Sequence, residues 1–373
     1  MGLRRPLPVV LATLLAGLAF PVWADYQLNF PPPKTGLAQQ IYDMNIWVMW
    51  ICVGIFVVVF GAMFYAIWKH RKSVGHKAEQ FHESTTVEII WTTIPFIILI
   101  AMAWPATKLI LEQKDTSNPD VTIKVTGYQW KWEYDYLQDG VKFMSVLSTP
   151  REQIENKADK GANYLLEVDE PMVVPVGKKV RLLLTANDVI HAWWVPALGV
   201  KGDNIPGFIR DIWFNAKEVG TFRGQCAELC GKDHGFMPIV VEVKSEADYK
   251  AWLEAKKAKA AAAAGDADKV FAKEELMERG AKVYNANCAS CHLPDGKGIP
   301  GAFPAITGSK IATGAKEGHI EMALIGKPGT AMPGFGPQLN DADIAAVVTY
   351  QRNGLGNGTG DLVQPADVKA LRK

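Results

Sequence analysis

From Met44 to Trp68 the chain runs for 25 residues without a charged side chain, and from Ile89 to Thr107 for another 19. About 20 such residues cross the hydrocarbon of a bilayer. A backbone inside hydrocarbon must satisfy its own polar groups, so both runs are predicted to be membrane-spanning helices, forming a hairpin within residues 25–117. Pro95 and Pro105 are expected to kink the second helix or bend its exit. The connecting loop, Lys69-His-Arg-Lys72 through Lys77, is basic, which favours the cytoplasmic side and leaves everything after about Lys108 on the periplasmic side. Upstream, Arg4, Arg5, the apolar run from Pro8 to Phe20 and the small-residue site Val22-Trp-Ala24 predict an export signal over residues 1–24. The competing reading is an uncleaved anchor helix, but the run is short and Pro21 follows it. Cys52 lies alone within the first apolar run, where packing explains it. His70, His76 and His82, in or beside the basic loop, read as solvated or interfacial.

Further along, Cys226-Ala-Glu-Leu-Cys230-Gly-Lys-Asp-His234-Gly-Phe-Met237 packs two thiols, an imidazole and a thioether into twelve residues. Thiolate, imidazole and thioether together select copper over hard cations. Two thiolates are one too many for a mononuclear blue site, but each can bridge two metals. A pair of coppers bridged by Cys226 and Cys230 would take one imidazole each, from His234 and from His191 in the apolar run Val189-Ile-His-Ala-Trp-Trp-Val195, with Met237 as a weak outer ligand and a backbone carbonyl as a second. Two other readings stand beside it. One is a periplasmic disulfide between Cys226 and Cys230, and the other a thioredoxin-like copper-delivery protein, which would lack the closely following His and Met.

A second cofactor is written into Cys288-Ala-Ser-Cys291-His292, the attachment sequence of a c-type haem, in which two thioethers hold the macrocycle and His292 binds iron. Met332, in Thr330-Ala-Met-Pro-Gly-Phe335, is the candidate second axial ligand because Pro333 and Gly334 favour a turn that can present the sulfur. Met322 and His319 are its rivals, in a predicted helical stretch from His319 to Ile325. Helices are also predicted over Glu274 to Ala286 and Asp341 to Asn353, the latter capped by Asn340 or Asp341. Between the two motifs, Glu246 to Ala264 is rich in Ala and Lys and stops at Gly265, which favours a helical tether over residues 246–268 or a passive low-complexity spacer. The residues after Gly354 carry no recognised ligand and are expected at the surface.

Between Val121 and Val243 short strands alternate with turns: Val121 to Thr126, Tyr128 to Tyr136, Tyr164 to Val168, Lys179 to Thr185, Phe208 to Phe214 and Pro238 to Val243. This pattern suits a Greek-key β-sandwich with His191 on one loop and the cysteine cluster on another. The fold class is therefore a multidomain membrane protein: a two-helix transmembrane hairpin, an all-β sandwich over residues 118–245, and an all-α domain over 269–354, which resembles a class I cytochrome c domain and is followed by a tail over 355–373. A net charge of +1 argues for no nucleic-acid partner.

The spacing of His191, Cys226, Cys230, His234 and Met237 resembles the binuclear CuA site of subunit II of haem-copper cytochrome c oxidases. The C-terminal segment resembles a cytochrome c domain fused to that subunit, as in caa3-type oxidases. The resemblance implies a cupredoxin-like sandwich and adds the backbone carbonyl of Glu228 to the copper ligands. It also implies that the Glu228 carboxylate binds a magnesium or manganese ion shared with subunit I, that electrons enter the copper centre through Trp130, and that Glu88 lies at the mouth of a proton channel. His234 would mark the exit toward haem a, while Asp203 and Ile205-Pro-Gly207 would shape the interface with subunit I. Lys131 departs from the pattern, replacing the tyrosine common there; a lysine suits a tethered cytochrome. The implied partners are oxidase subunits I and III and cytochrome c or another electron donor. The implied activity is that of an electron-input subunit in a bacterial inner (cell) membrane, with oxygen reduced to water in subunit I and protons pumped. Quinol oxidases have a related subunit without the copper ligands, which are intact here; a nitric oxide reductase with a copper subunit is the harder alternative.

Overall fold

The computed structural model describes residues 29–77, 80 and 82–372; the predicted export signal lies outside them. Two long helices, α1 (Gly36–Lys69) and α2 (Thr85–Gln113), contain apolar windows of mean hydropathy 2.5 and 2.0. Their apolar side chains point outward, as a lipid solvent requires. α2 continues unbroken through Pro95 and Pro105. The hairpin is pinned to the next domain at its start, where the Thr35 hydroxyl accepts from Ala38 N and donates to Leu198 O. Gly199 sits at φ +69° with its α-carbon so near Ala38 that a Cβ would lie 2.6 Å from it, so only glycine fits there.

The sandwich comprises β1 (Val121–Tyr128), β2 (Lys131–Tyr136), β3 (Val141–Ser145), β4 (Met172–Pro175), β5 (Val180–Ala186), β6 (His191–Val195), β7 (Val200–Asn204), β8 (Arg210–Phe214), β9 (Gly220–Cys226) and β10 (Pro238–Lys244). They form two five-stranded sheets, in the orders β3-β2-β1-β5-β8 and β4-β10-β9-β6-β7. β1 runs parallel to β5 and β4 to β10; the other pairings are antiparallel. Ile123, Val125, Trp132, Tyr134, Leu182, Trp193 and Ile239 are fully buried between the sheets.

Three sequence expectations change here. The strand expected from Tyr128 to Tyr136 is a hairpin, with Tyr128 paired to Lys131 and Gln129–Trp130 as the turn. No strand forms over 164–168: Leu165 adopts φ 59°, which extended backbone excludes, and Val168 makes only an isolated bridge to Leu147. His191 opens strand β6 instead of lying on a loop.

The tether is helix α3 (Glu246–Gly265). Its first turns belong to the sandwich, since Tyr249 and Leu253 are buried and the Trp252 ring lies 5.2 Å from that of Tyr136. The haem-motif domain follows as α4 (Lys273–Asn287), α5 (Lys316–Ile325), α6 (Asp341–Asn353) and α7 (Pro365–Leu371). Asn340 caps α6 by accepting from Asp343 N at 2.8 Å. The expectation of a surface tail after Gly354 fails. Val363 and Val368 are fully buried, and the Gln364 side chain exchanges two hydrogen bonds of 3.0 Å with the backbone of Phe271. The tail thus supplies α7 and closes the domain, because α4, α5 and α6 alone would leave α6 exposed along one side.

α4 and α6 cross at Gly280, where a Cβ would lie 2.1 Å from the carbonyl oxygen of Ala346. Gly280→Ala forces the helices apart, and overpacking of this kind costs about 1–3 kcal/mol. A lower Tm of the haem-motif domain, read by haem absorbance against an unchanged copper-domain transition, is the expected result.

Candidate metal centres

Strand pairing brings the soft donors together. β6 and β9 are antiparallel neighbours with Trp193 opposite Cys226, which places His191 beside the end of β9. His191 Nδ1 lies 3.9 Å from Cys226 Sγ, and the two sulfurs are 3.8 Å apart, far beyond the roughly 2.0 Å of a disulfide. Cys230 Sγ is 3.5 Å from both His234 Nδ1 and Met237 Sδ. Cys226 Sγ also lies 3.3 Å from the backbone oxygen of Glu228, whose carboxylate is exposed. All the donors named from the sequence therefore converge, and His191, Cys226 and Cys230 are buried.

The residues around the cluster hold it in form. The hydrogen bond between the thiols holds Cys226 well below the ordinary thiol range and pushes Cys230 up. Burial works to lower the pKa of His191, but hydrogen bonds with Asp188 and Cys226 outweigh it and raise the net value. Asp188 Oδ1 lies 2.9 Å from His191 Nε2; with Nε2 as donor, Nδ1 keeps its lone pair for metal. A Cβ at Gly127 on β1 would meet the His191 ring at 2.8 Å, so glycine there makes room for the ligand. Asp188 and Gly127 were not singled out from the sequence. A carboxylate three residues before a ligand histidine was a readable signal; the glycine was not, because its need arises from another strand.

Trp130 sits at the hairpin tip, half-buried. Its Nε1 donates to the Cys230 carbonyl at 3.2 Å, and the Gln129 amide donates to the same oxygen at 2.8 Å. Glu88 lies in the first turn of α2, where its carboxylate accepts from Ser84 N at 3.3 Å.

The haem motif opens on a cavity of about 1740 Å³ lined by Cys288, Cys291, His292 and Met332 and, from the sandwich, by Trp130 and Lys131. This exceeds the roughly 300–1,000 Å³ of ordinary small-molecule sites and accommodates a macrocycle. With Nδ1 as donor to Pro304 O at 2.8 Å, His292 keeps Nε2 free for iron. Met332 lies on the loop after α5, fixed where its carbonyl accepts from Lys327 N at 3.0 Å. Its rivals Met322 and His319 line the same cavity, but His319 turns its Nε2 to Gln351 Oε1 at 2.7 Å. Burial holds the His319 pKa down to about 4, so it stays neutral.

A membrane hairpin bearing a thiolate-rich cupredoxin site and a haem-binding helical domain defines a membrane-bound electron-transfer protein. Residues 121–244 match the family described as cytochrome c oxidase subunit II, periplasmic domain; residues 23–109 match its transmembrane domain. Residues 275–350 match the family described as cytochrome c oxidase, cbb3-type, subunit III. Cytochrome c oxidase subunit 2 of Cereibacter sphaeroides is 37% identical over 239 residues, 61% of this chain and 79% of that protein. A probable cytochrome c oxidase subunit 2 of Rickettsia prowazekii is 36% identical over 62% of this chain and 72% of its own length. The solved periplasmic domain of subunit II of cytochrome oxidase from Bradyrhizobium japonicum is 44% identical and covers 39% of this chain and 98% of that domain, with a TM-score of 0.35. The chain belongs to the cytochrome c oxidase subunit II family and carries a cytochrome c domain fused at its C-terminus, in the caa3 manner. It is a subunit of a haem-copper oxidase complex and works alongside other oxidase subunits; the family implies copper in the sandwich and haem c in the helical domain.

Removing the carboxylate behind a ligand imidazole typically costs 10–100-fold in metal affinity. Asp188→Asn is expected to weaken copper binding by about that factor, measured by competition with a Cu(I) chelator.

Proposed function

We propose that this subunit accepts electrons from a c-type cytochrome at its haem domain and delivers them, by way of its copper domain, to haem a of subunit I, where oxygen is reduced to water with proton pumping. When bound, the haem and the copper pair would supply one-electron chemistry. The chain's own residues do the rest. Cys288, Cys291, His292 and Met332 would hold the haem; His191, Cys226, the Glu228 carbonyl, Cys230, His234 and Met237 would hold the copper pair. The rigid sandwich keeps those donors fixed whichever charge they carry, so little reorganisation opposes transfer.

The observation that carries this reading is the position of Trp130. Its ring lines the haem cavity, and its indole N–H is bonded to the backbone of a copper ligand, Cys230. One side chain thereby touches both sites. Leu229, within the copper-ligand loop, and the pair Phe208 and Ile209 are exposed apolar residues, which suits burial against subunit I. The exposed Glu228 carboxylate beside Leu229 would bind magnesium or manganese shared with that subunit, hard oxygen suiting such a cation. The positive charge of the loop between the spans supports a cytoplasmic position for it and for Glu88 as a proton entrance, with the cofactor domains on the periplasmic side of a bacterial inner membrane and subunit III as a further partner.

Electron paramagnetic resonance of the oxidised, copper-loaded protein tests the centre itself, and one electron spread over two copper nuclei is expected; a single localised Cu(II) would count against the pair. Trp130→Phe is expected to slow haem-to-copper transfer by about tenfold or more, equivalent to about 1.4 kcal/mol of barrier, with that spectrum unchanged. In the assembled oxidase, Glu88→Ala should lower turnover by slowing proton delivery while the copper spectrum stays intact.

A further inference from the structure

Lys131 is 5% exposed, an unusual fate for a lysine, and among the described residues it forms no ion pair within 4 Å. Its side chain crosses from the sandwich into the cytochrome domain. Nζ donates to Asn287 Oδ1 at 2.6 Å and lies 5.2 Å from the Phe335 ring centroid and 6.0 Å from that of Tyr128. Each contact has a place in the haem site. Asn287 is the last residue of α4 and directly precedes Cys288, while Phe335 lies three residues beyond Met332 on the loop opposite. The ammonium thus grips both sides of the haem cavity from a single point adjacent to Trp130. Asn287 is itself oriented, because its Nδ2 donates to Val283 O at 3.0 Å and so turns Oδ1 to the lysine.

The chemistry fits a cation at this point. The carboxyl end of a helix carries partial negative charge, and aromatic faces attract ammonium groups. These offset part of the cost of burying a charge without a carboxylate partner. The neighbouring contact, Lys232 Nζ to Ser290 O at 2.9 Å, also joins the copper loop to the haem motif, but its side chain is 45% exposed and such surface contacts hold little.

We propose that Lys131 is the positioning residue of this fused oxidase subunit, docking the carboxyl end of α4 and the Met332 loop against the Gln129–Trp130 hairpin tip so that the haem cavity is held closed against Trp130. The assignment rests on the electron route proposed above. It also explains why a lysine occupies the place after the tryptophan: a tethered cytochrome is present at a local concentration of order millimolar, so what it needs from the surface is one orientation and not capture.

The test uses the full chain in the assembled oxidase, carrying Lys131→Met, Lys131→Arg, Asn287→Ala or the double variant Lys131→Met/Asn287→Ala. Laser-triggered reduction of haem c is followed by haem oxidation and the matching one-electron reduction of copper, and pulsed paramagnetic resonance reads the spread of haem–copper distances. Lys131→Met is expected to slow transfer by about tenfold or more and to broaden a narrow distance distribution, with the haem and copper spectra unchanged. Lys131→Arg should retain most of the rate, and the double variant should be no slower than the worse single one, since both remove the same contact. Native rate and a narrow distribution in Lys131→Met would overturn the proposal, as would loss of its copper spectrum, which would place the residue's role in the sandwich. Absence of haem-to-copper transfer in the unsubstituted protein would instead sink the electron route itself.

Discussion

The register between β6 and β9 is the constraint on which the rest of the copper domain depends. Trp193 faces Cys226, and Ala227 N donates to Ala192 O at 3.0 Å, so the ladder ends with His191 level with the chain that turns through Glu228. Strand side chains alternate, and a slip of one residue would send His191 to the opposite face and put Ala192 among the thiols in its place. Such a slip is opposed by the deep burial of Trp193 and by the Asn204 side chain on β7, whose oxygen accepts from Trp193 N at 3.2 Å. The donors are therefore held by the same packing that stabilises the sandwich. The cost of gathering thiols and imidazoles in one place is met by the core, not by the metal alone.

A second dependence runs through one backbone atom. The Cys230 carbonyl accepts from both Gln129 and Trp130, so the loop carrying the thiols and the hairpin facing the cytochrome domain share a fixed point. Gly231 at φ +114° follows at once, and a Cβ there would come within 2.9 Å of Gln129 Nε2. The loop can turn away from the hairpin only because that residue has no side chain. On the other side of the cavity the carbonyl of Pro304 aligns His292, and the Gly326 turn lets the Met332 loop lie back on α5. Each cofactor site is thus oriented by backbone groups, which move less than side chains.

Much of this was legible from residue order. Ligand motifs with short spacing, Cys226 to Met237 and Cys288 to His292, were readable because their donors lie within one loop or one helical turn. The helices α1, α2, α4, α5 and α6 were readable from sustained apolar runs, 3.6-residue periodicity or capping residues. Strands were less so. The aromatic alternation from Tyr128 to Tyr136 looked like one strand because aromatic side chains occupy every even position, yet pairing Tyr128 with Lys131 across a two-residue turn inverts the phase and puts Tyr128 and Trp132 on opposite faces. β9, Gly220–Cys226, carries two glycines and an arginine on a strand, so its propensity is weak and its place is decided by partners. The tail was misread because its few apolar residues, Leu362, Val363, Val368 and Leu371, follow a Gly-rich stretch and are too sparse to show a period, and only packing beside α6 gives them somewhere to go.

By itself the sequence determined which chemistry the chain can hold: two spans long enough for a membrane, a soft-donor set suited to copper and a haem attachment motif. Those are local facts, carried by residue types at fixed short separations. Tertiary structure alone decided that His191 meets Cys226 from 35 residues away, that Asp188 stands behind it, and that Lys131 reaches Asn287 across 156 residues. These contacts depend on strand register and on how one domain packs against another, quantities set by the whole core, so no window of sequence contains them.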